Sequence, residues 1–191
     1  IDKKNSNNGK FTIGMLGRLE SYKGHDDLLC ALSLLPQDVL GKINVKFIGG
    51  YSEDDYERVQ HLINKLHLQD VVKIVGYVDE EISNIIADLD LLAMLTKTFE
   101  GFGLSIIEAL HQNVPVLATN VGVIPELYPS GGELIVDVGN YDGIAHAIKK
   151  VVSNKDHSFI DDSVKEKLYK YDSKYMSYRY HQHLMFEYNK V

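Results

Sequence analysis

Two basic side chains, Arg18 and Lys23, follow the first apolar run of the chain in the segment GRLESYKG. A guanidinium can hold a phosphate through two parallel hydrogen bonds, and an ammonium adds a point charge. The flanking glycines would let a ligand approach the backbone closely. These residue types predict a grip on a phosphate-bearing ligand. The alternative is a turn that carries two solvated cations.

A second group of candidates lies in the segment TKTFEGFGLSIIEAL. A helix is predicted to open near Leu104, so the amides of Phe102, Gly103 and Leu104 would face the end of the preceding strand. Free N–H groups at the start of a helix bind anions. This segment therefore predicts a second contact with an anionic ligand.

Glu100 precedes this helix start and Glu108 follows it. A carboxylate beside an anion site would repel phosphate alone, so both are interpreted as acceptors for hydroxyl groups on the same ligand. Phosphate together with hydroxyls indicates a nucleotide or a sugar phosphate. The alternative is that Glu108 is a surface residue of the helix and Glu100 a loop charge.

The composition limits the partners of this site. The 191 residues contain 20 Lys and Arg against 27 Asp and Glu, a net charge of −7. An overall negative field disfavours general binding to nucleic acid and requires a local cationic patch for any phosphate ligand. No apolar run approaches the roughly 20 residues of a membrane span, and a single cysteine excludes an intramolecular disulfide.

Short apolar runs alternate with longer amphipathic segments and must position these residues. The runs FTIGML, INVKFIG, VVKIVG, LLAML, VPVLAT and ELIV lack a polar face, which is typical of parallel strands covered on both sides. Ser52 and Asp79 are predicted N-caps of the helices that follow them. The pattern predicts an α/β fold: one Rossmann-like, doubly wound domain with a mainly parallel sheet of about six strands.

The chain divides into three regions by composition. Residues 1–10 are rich in Asn and Lys and are interpreted as a linker or an edge of the chain. Residues 11–152 form the predicted Rossmann-like domain. Residues 153–191 carry no strand pattern and half of the tyrosines, which predicts a C-terminal Tyr-rich helix.

The segments GRLESYKG, FIGG, EGFGLSIIEAL and PVLATNVGVIPEL occur in the order and approximate spacing found in retaining glycosyltransferases of the family 4 type. The resemblance extends from about Phe11 to Val152. Members of that family have the GT-B fold, which contains two Rossmann-like domains. The chain resembles the C-terminal domain, which binds the nucleotide sugar donor.

The resemblance implies roles for individual residues. Arg18 and Lys23 match the positions that contact the donor diphosphate, and the loop from Gly101 to Leu104 adds backbone amides to it. Gly49 and Gly50 match the glycine turn beside the nucleotide.

Glu100 matches the first glutamate of the family's E-x7-E motif, near the transferred sugar, and Glu108 matches the second, which accepts the ribose hydroxyls. The hydroxyl of Thr96 takes the place of a serine. Glu100, Arg18 and Lys23 are the implied catalytic residues. Asn113 stands where a glycine is usual and is expected to keep a positive φ.

By the same resemblance, the chain is the donor-binding part of an enzyme that moves a sugar, with retention, from a nucleoside-diphosphate sugar to a glycan, lipid or protein acceptor. UDP or GDP is the expected nucleotide, and no metal or other cofactor is expected. The chain is expected to be a fragment, inactive alone, whose C-terminal segment packs on a missing N-terminal domain. A cytoplasmic location is expected, with peripheral association at the inner face of the membrane left open.

Two other classes compete with this interpretation. A non-catalytic nucleotide-binding or regulatory module would keep the phosphate grip without transfer. An oxidoreductase-type dinucleotide domain would need G-x-G-x-x-G after the first strand, and GRLESYKG does not supply it.

Overall fold

A computed structural model of the chain describes residues 9–98, 103–128, 131–154, 159–160, 162–171 and 175–177. The strands are β1 Phe11–Leu16, β2 Ile43–Ile48, β3 Val72–Gly76, β4 Leu91–Met94, β5 Val116–Thr119 and β6 Ile135–Val136. The α-helices in this part of the chain are α1 His25–Ser33, α2 Gln37–Leu40, α3 Glu53–Lys65, α4 Ile82–Ala87, α5 Leu104–His111, α6 Ile124–Leu127, α7 Tyr141–Ser153 and α8 Asp162–Leu168.

The strands form one six-stranded sheet in the order β3-β2-β1-β4-β5-β6. Every neighbouring pair is parallel. Each predicted apolar run contains one of the strands, and helices cross between them as a parallel sheet requires. The predicted doubly wound, Rossmann-like α/β fold is confirmed.

The core has two halves, one on each face of the sheet. Helices α1, α3 and α7 pack on one face through side chains such as Leu28, Ile63 and Ile148. Helices α4, α5, α6 and α8 pack on the other, where Ile106 and Leu127 are buried. With both faces covered, the sheet leaves its strand ends as the accessible edges for a ligand.

Capping decides where two helices begin. Ser52 accepts a hydrogen bond from the backbone N–H of Asp55 and caps α3, as predicted. The prediction for Asp79 is wrong, because α4 begins at Ile82 after an extended Glu81. The intervening segment, residues 77–81, is neither helix nor strand.

Part of the C-terminal segment packs on this domain. Ile160, Val164 and Leu168 are buried in the same cluster as α5, and Tyr171 packs against it. Most of the Tyr-rich segment lies outside the described residues, so its packing on another domain stays a prediction. Among the described helices, none is both long and apolar enough to cross a membrane.

Candidate functional site

The candidate site lies at the carboxyl end of the sheet, where the strand order reverses. From β1 the chain proceeds to β2 and β3 on one side, and then returns to β4 on the other side of β1. The helices that follow β1 and β4, α1 and α5, therefore lie on opposite faces of the sheet. Ligands of open α/β sheets bind at this kind of switch point.

A pocket of about 540 Å³ opens at this switch point. This volume is within the range of small-molecule sites. Its walls come from the ends of β1 and β2, the segment after β3, helix α4 and the start of α5. The lining residues are Leu16, Gly17, Ile48, Gly49, Tyr77, Val78, Glu80, Ile82, Ile85, Gly103, Leu104, Ser105 and Glu108.

Glu108 is the notable polar group of this pocket. Its Oε2 atom is buried and has no hydrogen-bond partner among the described residues. The surrounding wall contains Leu16, Ile48 and Ile85, which offer no side-chain donor. A buried carboxylate oxygen without a donor is costly. A ligand that brings hydroxyl groups into the pocket would remove that cost.

The start of α5 supplies amide donors to the same pocket. The first helical hydrogen bond of this region runs from the N–H of Ile106 to the carbonyl of Gly103. The amides of Leu104 and Ser105 precede that bond, at the positive end of the helix. The first turn of the helix and Glu108, one turn further along, therefore line the same pocket.

The two predicted cations lie beside the Gly17 wall of the pocket. Arg18 follows Gly17 directly; its side chain is 68% exposed and its Nε is 3.5 Å from Glu20. The Cδ and Cε atoms of Lys23 are 4.0 Å from the point that a Cβ on Gly17 would occupy. Both side chains belong to the loop that follows Gly17, but neither Arg18 nor Lys23 lines the pocket, so their contact with a phosphate stays a prediction.

A close backbone approach holds this loop against β4. Gly24 has φ +85°, and a Cβ on it would lie 2.1 Å from the carbonyl oxygen of Leu95. Only glycine fits without moving the backbone. The neighbouring His25 is buried with its ring edge against Phe47, and burial lowers its pKa to about 4.

Arg58 supports the loop from behind and was not found from the sequence. Its guanidinium pairs with Asp26, donates to the carbonyl of Leu19 at 2.7 Å, and lies 3.3 Å from Asp55. The hydrogen bond from Ser52 is the main cause that lowers the pKa of Asp55, and Arg58 adds to it. A single arginine on α3 thus joins α1 and the loop after β1, and that tertiary pairing has no local sequence signal.

The structure brings only some predicted site residues together. Gly49, Gly103, Leu104 and Glu108 line the pocket. Gly50 is not part of its wall; its carbonyl accepts a hydrogen bond from the N–H of Leu19 at 3.2 Å.

Other predicted residues lie away from the pocket or outside the described chain. Thr96 is fully buried, and its carbonyl accepts a hydrogen bond of 2.6 Å from the hydroxyl of Thr119. Asn113 has φ +58°, which confirms the positive φ expected there. Glu100, Gly101 and Phe102 lie outside the described residues.

The apolar wall after β3 was not predicted residue by residue. Tyr77 and Ile82 line the pocket and are 78% and 51% exposed. Exposed apolar side chains at a pocket mouth offer a flat surface to a ring. The described residues hold no group of three or more His, Cys, Asp or Glu side chains placed to share a metal ion.

Known proteins are similar to this chain in sequence and in fold. An O-antigen chain mannosyltransferase B of Escherichia coli is 30% identical over 143 residues, which are 71% of this chain and 35% of that protein. The structure of Anabaena HepE in complex with UDP and glucose superposes with a TM-score of 0.73 at 24% identity, over 84% of this chain and 44% of that one.

A third comparison is with a single domain. The C-terminal domain of a group 1 family glycosyl transferase, LpcC of Francisella tularensis, gives a TM-score of 0.73 at 22% identity, over 86% of this chain and 88% of that one. The chain spans about a third of the mannosyltransferase, but it spans most of this domain.

Residues 1–171 match the family described as glycosyl transferases group 1. The match covers the sheet, the pocket and the loop after β1 that carries Arg18 and Lys23, here called the cationic loop. The chain therefore belongs to the group 1 glycosyl transferases.

Proposed function

We propose that this chain is the donor-binding, C-terminal half of a retaining glycosyltransferase of the family 4 type. It binds a nucleoside-diphosphate sugar, with UDP or GDP as the nucleotide. The complete enzyme transfers the sugar to a glycan, lipid or protein acceptor held largely by an N-terminal domain. The proposal places the protein in the cytoplasm, where its peripheral association with a membrane would give access to a lipid acceptor.

The observation that carries this proposal is the buried Oε2 of Glu108, which has no hydrogen-bond partner in the described part of the chain and lies in a mostly apolar pocket. An ionised carboxylate is an acceptor only, so the missing partner must be a donor. A ribose supplies two adjacent hydroxyls, and the flat apolar surface near Tyr77 suits the attached base. The carboxylate and the apolar wall together favour a nucleoside over an isolated phosphate.

The cationic loop suits the diphosphate of the same ligand. We place the diphosphate between the first amides of α5 and Gly17. Leu104 and Ser105 line the pocket, Arg18 follows Gly17 directly, and the Cδ and Cε atoms of Lys23 are 4.0 Å from the point that a Cβ on Gly17 would occupy. When the bond between the anomeric carbon and the diphosphate oxygen breaks, its electron pair leaves with the nucleoside diphosphate. Fixed positive groups at that position stabilise the added charge, which lowers the barrier. We propose that the chain's own cations do this without a bound metal.

Glu100 completes the proposal as the residue that orients the transferred sugar. Its place in the sequence follows β4 and precedes α5, between the cationic loop and Glu108. We assign it no role as a nucleophile. The coverage of the relatives supports the fragment interpretation, since the chain spans 35% of the mannosyltransferase and 44% of HepE.

The first test is calorimetric titration of the chain with UDP, GDP and ADP and with their sugar conjugates, in the presence of a chelator. Arg18→Ala and Lys23→Ala should each weaken binding by about tenfold, since each removes a charge-assisted contact. Lys42→Ala is the matched control, because Lys42 is an exposed cation at the opposite end of β2. Unchanged affinity in both loop variants would contradict the phosphate grip.

Variants of the two glutamates should affect the binding of different ligands in the same titrations. Glu108→Gln should weaken the binding of the bare nucleoside diphosphate about tenfold, because the ribose diol loses a charged acceptor. Glu100→Gln should leave the affinity for the bare nucleotide unchanged and should lower only the affinity for the sugar conjugate. Glu133→Gln, which alters an ion pair with Lys150 outside the pocket, serves as the control. The reverse pattern would exchange the two roles.

A further inference from the structure

Arg58 on α3 connects the cationic loop to the first turn of α1. Its Nη2 donates to the carbonyl of Leu19 at 2.7 Å, and its Nη1 donates to the carboxylate of Asp26. Leu19 precedes Lys23 in the chain and Asp26 follows it. One guanidinium therefore holds together the two ends of the short segment that carries Lys23.

Other contacts tie each end of this segment to a different strand. The N–H of Lys97 donates to the carbonyl of Tyr22 at 2.7 Å, and the Nζ of Lys97 lies 2.7 Å from Oδ1 of Asp27. These contacts join the α1 end to the segment after β4. The N–H of Leu19 instead donates to a carbonyl after β2, at 3.2 Å. The guanidinium of Arg58 contacts both ends at once.

The charge of Arg58 is balanced where it lies. Its guanidinium donates to Asp26 and, at 3.3 Å, to Asp55. Two carboxylates against one guanidinium leave no net positive charge at this position to attract a phosphate. Arg58 is also not part of the pocket wall. An effect of Arg58 on a phosphate ligand must therefore pass through the loop.

We infer that Arg58 is a positioning residue for phosphate binding: its bonds to Leu19 and Asp26 set the place of Lys23. This inference rests on the proposed function, in which Lys23 contacts the donor diphosphate. A cation that is held in place before the ligand arrives loses less freedom on binding, so the affinity is higher. Loss of Arg58 should therefore lower the affinity for a diphosphate and leave the affinity for the nucleoside part unchanged.

The test uses two variants of Arg58 and one control. Arg58→Met removes the charge and both bonds. Arg58→Lys keeps the charge, but a single ammonium cannot replace the fork that reaches both Leu19 and Asp26. Lys65→Met is the matched control, because Lys65 is an exposed cation in the last turn of the same helix. Asp26 is 27% exposed and stays solvated without Arg58, so the variants should fold, which thermal unfolding checks.

The affinities of UDP and GDP, and of the nucleosides uridine and guanosine, are measured by titration for each variant. Both Arg58 variants should bind the diphosphates about fivefold more weakly and the nucleosides within about twofold of the wild type. Lys65→Met should retain all four affinities. Wild-type affinity for the diphosphates in Arg58→Lys would show that charge alone suffices and would overturn the inference. Equal weakening of diphosphates and nucleosides would also overturn it.

A double variant tests whether Arg58 acts through Lys23. In the Lys23→Ala background, Arg58→Met should weaken diphosphate binding by less than about twofold, because the positioned cation is already absent. The same fivefold loss in this background would mean that Arg58 acts independently of Lys23, and the inference would fail.

A ligand-free measurement separates this inference from the proposed function. If the wild-type chain binds neither UDP nor GDP, the proposed function fails, whereas the hold on the loop is tested by amide hydrogen exchange over residues 19–24. Exchange there should be about tenfold faster in both Arg58 variants than in the wild type or in Lys65→Met. Unchanged exchange would overturn the positioning role.

Discussion

At the scale of single residues, His25 is the buried group with the clearest energetic consequence. The imidazole is 1% exposed, and neither ring nitrogen has a hydrogen-bond partner among the described residues. We expect His25→Leu to raise the free energy of unfolding at pH 7.5 by about 1 kcal/mol, because the unsatisfied nitrogens disappear while the volume is kept. Urea unfolding of both proteins measures this difference, and a loss of stability would contradict it.

The same residue makes stability depend on pH. Burial, with Arg58 and Lys23 nearby, lowers the pKa of His25 to about 4 from an ordinary value of 6.5. Above pH 6.5 the imidazole is neutral in both states; as the pH falls toward 4, only the unfolded chain binds the proton and stability is lost. The wild type should lose about 3 kcal/mol more than His25→Leu between pH 7.5 and pH 4. Equal losses in the two proteins would show that another group titrates.

The sequence identified residues whose chemistry is local. Arg18, Lys23 and Glu108 were predicted as site residues because their types stand next to a predicted strand end or helix start, and of the three Glu108 lines the pocket. The partners of Arg58 and Lys97 could not be found in this way, because Asp26 and Asp27 meet them only when α1 packs against α3 and the end of β4. Cationic side chains that act on other side chains look like ordinary surface charges in a sequence.

At the scale of elements, the ends of β1 and β2 lie so close together that only one of the adjacent residues Gly49 and Gly50 could accept a side chain. A Cβ on Gly49, which has φ +152°, would lie 2.1 Å from the carbonyl oxygen of Gly17. Gly50 has nothing within 4 Å of the same point. Gly49→Ala must therefore displace the loop that carries Arg18.

We expect Gly49→Ala to cost about 2 kcal/mol of stability and to weaken nucleoside diphosphate binding. Gly50→Ala should change stability and nucleoside diphosphate binding only slightly, since the added Cβ would have no atom within 4 Å. Thermal unfolding and titration of the two variants give the comparison directly. Equal effects at the two positions would mean that the glycine turn acts through chain flexibility rather than through contact.

Element types were easier to predict than element limits. The six apolar runs contain the strands as predicted, and the helix predicted to open near Leu104 begins at that residue. The short helices α2 and α6 and the late start of α4 were not anticipated, because tertiary contacts decide whether a single turn forms. Tyr77, Val78 and Glu80 line the pocket and Glu81 is extended, so the capping preference of Asp79 does not decide where α4 begins.

At the scale of the whole molecule, the proposal predicts binding without transfer. The chain alone should bind the donor but release no sugar to an acceptor, because the acceptor side of the cleft belongs to the proposed N-terminal domain. Adding the preceding half of the full-length gene product should restore turnover, and Glu100→Gln should lower it. Release of nucleotide in a coupled assay is the measurement. Rapid transfer by the 191-residue chain would overturn the fragment interpretation.

The placement of β1 beside β4 also governs when the site can exist during synthesis. The pocket needs walls from Leu16 through Glu108, so a ribosome must release more than half of the chain before the ligand has a place to bind. Pairing these two parallel strands closes a long loop, and its entropic cost comes before any stabilising contact. A ligand of this pocket can therefore stabilise the finished domain but cannot help the nascent chain to start folding.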